Sequence, residues 1–243
     1  MRMEREHREY IKNTKPSPLP NYTHLLNELN DEFWKKWVFY YLLNFYQNYD
    51  QTELNEKIET ERKKPMSNIE DLIAVYIRNY FRKNRLIELQ GFKIVGGINN
   101  DLDIKGLYDI SFLHSYWNKD FHFECKNLDN SQDLVNKYVC YNKGNSIFDG
   151  GVLRYFNGKY AQNSNFGGMI GFIIEGDVLN IKSKIIKKIT DKFNVTPEGD
   201  LLRIIDDSIS HNNFSFDSFH KRLDNEFIIH HLLFNFSQSS KIV

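Results

Sequence analysis

Asp109, Glu124 and Lys126 are the residues whose types and spacing point to chemistry in this chain. They lie in LYDISF and FHFECKNL, two short runs separated by a polar turn. Both runs alternate, as strands do. In the first, Tyr108, Ile110 and Phe112 fall on one side, and Asp109 and Ser111 on the other. In the second, Phe121, Phe123 and Cys125 make an apolar side, and His122, Glu124 and Lys126 a polar one. A hairpin centred between Tyr116 and Trp117 sets Asp109 opposite Glu124 and Ser111 opposite His122. Carboxylates directly across a strand pair repel, and a cation between them removes that cost. Mg2+ suits the place, because it is held by one or two carboxylates with waters and phosphate oxygens. Lys126, two residues beyond Glu124, projects from the same face. The competing account is an ordinary surface ion pair on the wet face of a half-exposed strand.

An acid, a hairpin turn and then acid–x–Lys resembles the PD-(D/E)xK nuclease superfamily, whose fold is the restriction-endonuclease-like one. Asp109, Glu124, Cys125 and Lys126 carry the resemblance, with Tyr108 where the nominal proline stands. It covers about residues 68–175. The resemblance implies metal ligation by Asp109, Glu124 and the Cys125 carbonyl, with Mg2+ as cofactor and Mn2+ as a substitute. It gives Lys126 the attacking water and the pentavalent state, and leaves 5′-phosphates on the products. Members of the superfamily often draw a further glutamate from a helix before the core sheet; Glu70 matches in order and facing. Basic residues after the acid–x–Lys strand often reach the scissile phosphate, which makes Arg154 and Lys159 candidates. His122 shares the face of Glu124 and could touch substrate, though it is outside the superfamily pattern. The implied activity is a Mg-dependent DNA endonuclease of the restriction or anti-phage-defence kind. The alternative is a catalytically inactive nuclease-fold subunit that binds nucleic acid or serves assembly. Implied partners are DNA ahead of RNA, and a second copy or another subunit of a defence system.

The elements that must position these residues follow from periodicity. The expected class is α/β: a restriction-endonuclease-like central mixed sheet flanked by helices, with added N-terminal helices and a C-terminal helix plus hairpin extension. Residues 1–64 form the N-terminal helical extension, 65–176 the nuclease core, and 177–243 the C-terminal extension packing on that core. The proline-punctuated KPSPLP is a linker. The spacing of Phe33, Trp34, Trp37, Val38, Tyr41, Leu42 and Phe45 predicts one helix from Tyr22 to about Glu61, its aromatic stripe docked on the core. Ser67 and Glu70 read as a capping box that starts the next helix. That helix ends in the basic cluster Arg78, Arg82, Lys83 and Arg85, interleaved with Tyr80 and Phe81. Asp101 and Asp103 are extra loop acids, and Gly96-Gly97 is no phosphate-binding P-loop. A helix carries Arg154, Tyr155 and Lys159, and Met169–Ile174 is a buried strand. A basic helix follows Asp177, then a short helix from Thr196-Pro197-Glu198 through Ile209, then a hairpin turning about Asp224-Asn225. His220, His230 and His231 lack metal-ligand spacing.

Composition limits the functions available. The 243 residues can bury a sizeable core, and 32 basic against 32 acidic residues leave no net field to hold a polyanion. Nucleic-acid contact must therefore use local patches. Two cysteines exclude a disulfide framework or a cysteine zinc site and fit reduced thiols. The charged start MRMEREHREYIK is no secretory signal, and no run has membrane-spanning length, so a cytoplasmic protein is expected.

Overall fold

The structure, a computed structural model, describes residues 29–99, 107–144, 148–193, 199–206, 209 and 214–237. Asp101, Asp103, the proline-punctuated linker and the Thr196-Pro197-Glu198 helix start lie outside the described residues.

Seven strands form one mixed sheet flanked by helices. Their order across the sheet is β1 (Phe92–Val95), β4 (Ile110–His114), β5 (Phe121–Leu128), β8 (Phe166–Ile173), β11 (Asn225–Asn235), β10 (Ser215–Arg222) and β9 (Leu201–Asp206). Two short pairs stand apart: β2 (Ile98–Asn99) with β3 (Leu107–Tyr108), and β6 (Tyr141–Asn142) with β7 (Phe148–Asp149). Among the described residues, only β5–β8 and β8–β11 pair in parallel within the large sheet. Strands β5, β8 and β11 are thus central and buried on both faces, which is why β8 reads as one apolar run without alternation.

One face carries α1 (Asp31–Asn48), α2 (Gln51–Arg62), α3 (Ile69–Lys83) and α4 (Arg85–Leu89). Val38, Phe45, Ile77 and Phe81 pack there against Phe112, Phe123, Phe172 and Phe234 of the sheet. The other face carries α5 (Gln132–Tyr138), α6 (Val178–Lys192) and a 3-10 turn at Val152–Tyr155, over Leu128, Met169, Phe216 and Ile229. Burying each such apolar side chain is worth about 1.5–3 kcal/mol. No described helix is long and apolar enough to cross a membrane.

Several sequence expectations change. The helix expected from Tyr22 to Glu61 is two helices within the described residues. Asp50 turns extended after Tyr49, and its carboxylate caps α2 by accepting from the Glu53 N–H at 2.9 Å. The helix expected around Arg154 is one 3-10 turn, because Gly150 and Gly158 take positive φ on either side. A strand, β9, replaces the short helix expected before Ile209, since pairing with β10 overrides local propensity. The C-terminal hairpin is no appendage: β11 lies inside the sheet against β8. It turns at Leu223-Asp224, both with positive φ, one residue earlier than expected.

Candidate active site

The expected hairpin register is present. Ser111 pairs with His122 and Ile110 with Phe123, so Asp109 is next in line before Glu124. Tyr108 departs from strict alternation. The chain bends at Asp109, and the Tyr108 ring turns onto the opposite face, stacked on His122 with centroids 4.1 Å apart.

Backbone contacts fix Asp109. Its N–H donates to the Phe123 carbonyl at 3.1 Å, and its own carbonyl accepts from Arg78 of α3. Its Oδ2 accepts from the Cys125 N–H at 2.6 Å. The carboxyl therefore sits at the edge of β5, where β4 begins.

Glu124 is buried, 1 % exposed, beneath the 3-10 turn and the segment after it. This rules out the wet-face ion pair, because a surface acid keeps its solvent. Its Oε1 accepts from Arg154 Nη1 at 2.6 Å and from Lys126 Nζ at 2.8 Å, and its Oε2 accepts from the Tyr160 hydroxyl at 2.7 Å. Arg154 also donates from Nε to Asp149 Oδ1 at 3.0 Å and from Nη2 to Oδ2 at 3.3 Å. Lys159 stands 3.7 Å from the same Asp149 carboxylate.

Lys126 Nζ reaches Glu70 Oε1 and the Cys125 carbonyl, each at 2.7 Å, besides Glu124. Glu70 is not a capping-box residue. The cap of α3 is Asn68, whose side chain accepts from the Asp71 N–H at 3.2 Å. Glu70 is then free to turn to the sheet, where its Oε2 accepts from the Asn127 N–H at 3.3 Å.

Electrostatics follow from this crowding. Burial, then the Glu124 charge, push the Asp109 carboxyl up to about 7. Burial works against the Lys126 ammonium, but Glu124, Glu70 and Asp109 overcome it and hold the proton firmly. Burial opposes ionisation of Asp149, and the Arg154 guanidinium reverses that, keeping the acid well below its ordinary value. His122 donates or accepts at Ser111 Oγ, 2.8 Å away, and burial pushes it down to about 4, so it is neutral near pH 7.

Glu70, Asp109, Glu124, Lys126, the Cys125 carbonyl and Arg154 therefore meet at one end of the β4–β5 pair. Lys159 pairs with Asp149 beside the cluster, and His122 sits behind it with Tyr108 and Ser111. Tyr160 and Asp149 were not foreseen. Both come from an irregular stretch with no period to read, and only the turn-forming glycines of FDGG and FNGK mark it.

The donor set fits a hard cation. Asp109, Glu124 and the Cys125 carbonyl are oxygen ligands of the kind Mg2+ takes. The Lys126 ammonium lies among Glu70 Oε1, Glu124 Oε1 and the Cys125 carbonyl, two of which belong to that donor set. Among the described residues no group of three His, Cys, Asp or Glu side chains is placed to hold a metal ion. The cluster meets solvent through Lys126, Arg154 and Glu70, whose side chains are 15 %, 26 % and 29 % exposed.

Compared with known proteins, the chain matches no family model, no curated protein and no solved structure.

Proposed function

We propose that this protein is a Mg2+-dependent nuclease that hydrolyses phosphodiester bonds of DNA, of the restriction- or defence-associated kind its motif resembles. One observation carries the reading: Glu70, Asp109, Glu124 and Lys126 converge from α3, the bend before β4, and β5. The finer fold assignment, restriction-endonuclease-like, belongs to the same proposal. The acidic pair β4–β5 followed by parallel β8 supports it. A reducing, cytoplasmic setting is a further part of the proposal, supported by two free buried cysteines.

Asp109, Glu124 and the Cys125 carbonyl would hold the ion. Bound there, it would supply charge neutralisation at the phosphate and a more acidic water. Lys126, held charged by its neighbours, is the group to orient that water and steady the extra negative charge at phosphorus. To do so it must leave the Cys125 carbonyl and Glu124 Oε1, which Glu70 permits by keeping one contact. Arg154 offers a planar guanidinium at the rim of the cluster, already oriented by Asp149, for phosphate oxygens.

A second reading is favoured by one fact: Glu124 already receives bonds from Arg154, Lys126 and Tyr160. Such a saturated carboxylate suits an inactive nuclease-fold subunit that binds DNA or a partner. Plasmid DNA incubated with the full chain and Mg2+ separates the two. Cleavage should fall at least about 100-fold in Glu124→Gln and Lys126→Ala proteins that keep their circular dichroism. Binding without cleavage selects the subunit, and undiminished cleavage by both variants rejects the site.

A further inference from the structure

Of the basic cluster at the end of α3, Arg78 binds the Asp109 carbonyl, whereas Lys83 and Arg85 lie at a hollow of their own. That hollow borders a cleft of about 650 Å3 between α1 and the α3–α4 corner, within the size range of small-ligand sites. Trp37, Tyr40, Tyr41 and Tyr80 line it. Trp37 and Tyr40 meet edge to face, centroids 5.8 Å apart, and Tyr40 is 57 % exposed. Asn44, Asn84 and Gln90 also line it, with Gln90 Oε1 accepting from the Tyr41 hydroxyl and Asn84 Oδ1 from the Leu86 N–H.

Charge is one-sided here. Among the described residues the cleft lining includes Lys36 and no acid. The adjoining hollow of about 590 Å3 shares Tyr80, Asn84 and Leu86 with it and adds Lys83 and Arg85. The acid in that hollow, Glu53, pairs with Lys57 at 3.6 Å. Lys36, Lys83 and Arg85 form no ion pair with any described residue.

We propose that this cleft binds a nucleotide unit, a flat heteroaromatic base with its phosphate, separately from the acidic cluster. Aromatic faces stack on any base, and cations beside them take the phosphate. Side-chain amides match the donors and acceptors on a base edge. The same chemistry is offered by a free nucleotide and by an unpaired nucleotide of a single strand. The inference does not depend on the nuclease reading, since it uses other residues and a binding readout.

Tryptophan fluorescence of the full chain tests it, because Trp34 and Trp117 are buried and Trp37 is the one at the cleft. Adenosine 5′-monophosphate, cytidine 5′-monophosphate, adenosine, inorganic phosphate and a short oligo(dT) are titrated in turn. A saturable change with the mononucleotides and the strand, or with either alone, supports the site and identifies the source. Tyr40→Ala should weaken binding about 10-fold, and Tyr40→Phe should preserve it. Lys83→Glu with Arg85→Glu should weaken the nucleotides and leave adenosine unchanged. These side chains are exposed, so the variants keep the fold. No saturable change with any probe, or equal binding by Tyr40→Ala, overturns the proposal. Loss of cleavage in Glu124→Gln with cleft binding intact would show the two sites to be independent.

Discussion

At the residue scale, the cluster is a balance between acids that crowd one another and cations that sit among them. Lys126 is the internal cation, and Asp109 is the acid it serves least. The sign of the pH effect follows. The Asp109 carboxyl has a folded value near 7 against an ordinary 3.8. Between those values the folded protein binds more protons than the unfolded chain, so this group lowers stability as pH rises from about 4 to about 7. Above that it remains unfavourable by a constant amount. Asp109→Asn, which still offers an oxygen to the Cys125 N–H, should therefore stabilise the metal-free protein by roughly 2 kcal/mol near pH 8. The gain should vanish near pH 4, and cleavage should be lost. Urea melts at both pH values check this, and a gain of equal size at the two would disprove the account.

At the element scale, the start of α3 decides where Glu70 points. A Ser67 cap would give Glu70 a local backbone partner. The Asn68 cap sends it to Lys126 and the Asn127 N–H. Asn68→Ala should cost about 1 kcal/mol of stability, while Ser67→Ala at an exposed position should stay within about 0.5 kcal/mol. Thermal melts that rank the two variants the other way would restore the capping box. Strand β8 supplies the second element-scale test. A methyl at Gly168 would collide with the Phe123 ring, and one at Gly167 with Tyr155, whose hydroxyl donates to the Gly168 carbonyl at 2.7 Å. Gly168→Ala should therefore destabilise by about 1–3 kcal/mol, read in the same melts. Tyr155 adjoins Arg154, so Gly167→Ala should reduce the proposed DNA cleavage as well.

At the scale of the whole molecule, α1, α2 and the C-terminal hairpin share their cores with the sheet that carries the cluster. The hairpin adds a buried polar chain. His220 Nε2 and His231 Nε2 both meet Ser218 Oγ, at 2.8 Å and 2.9 Å, and His231 Nδ1 meets the Tyr138 hydroxyl at 3.0 Å. Burial pushes His220 down to about 4 against an ordinary 6.5. The unfolded chain then binds the extra proton first, so this contribution is full above about pH 6.5 and is lost as pH falls toward 4. The loss amounts to roughly 3 kcal/mol. Urea midpoints should drop over that range in the wild type and drop less in His220→Gln. Equal drops would assign the acid sensitivity to other groups, the buried His122 and His231 among them.

The strand pair was legible in the sequence because alternation with period two and a short turn fix which side chains lie opposite one another. Asp109 therefore falls before Glu124, and Ser111 meets His122, as the register alone requires. The two-strand end of the candidate site is thus local information. The covering of Glu124 by Arg154 and Tyr160, and the pairing of Asp149 with Arg154, come from a loop without period. The turn of Glu70 toward Lys126 depends on which neighbouring residue caps α3. The placing of β11 between β8 and β10 depends on pairings between residues far apart in the chain. Those features are decided by which surfaces find one another on folding. Only the tertiary structure holds that information, because backbone pairing and burial are settled between segments rather than within them.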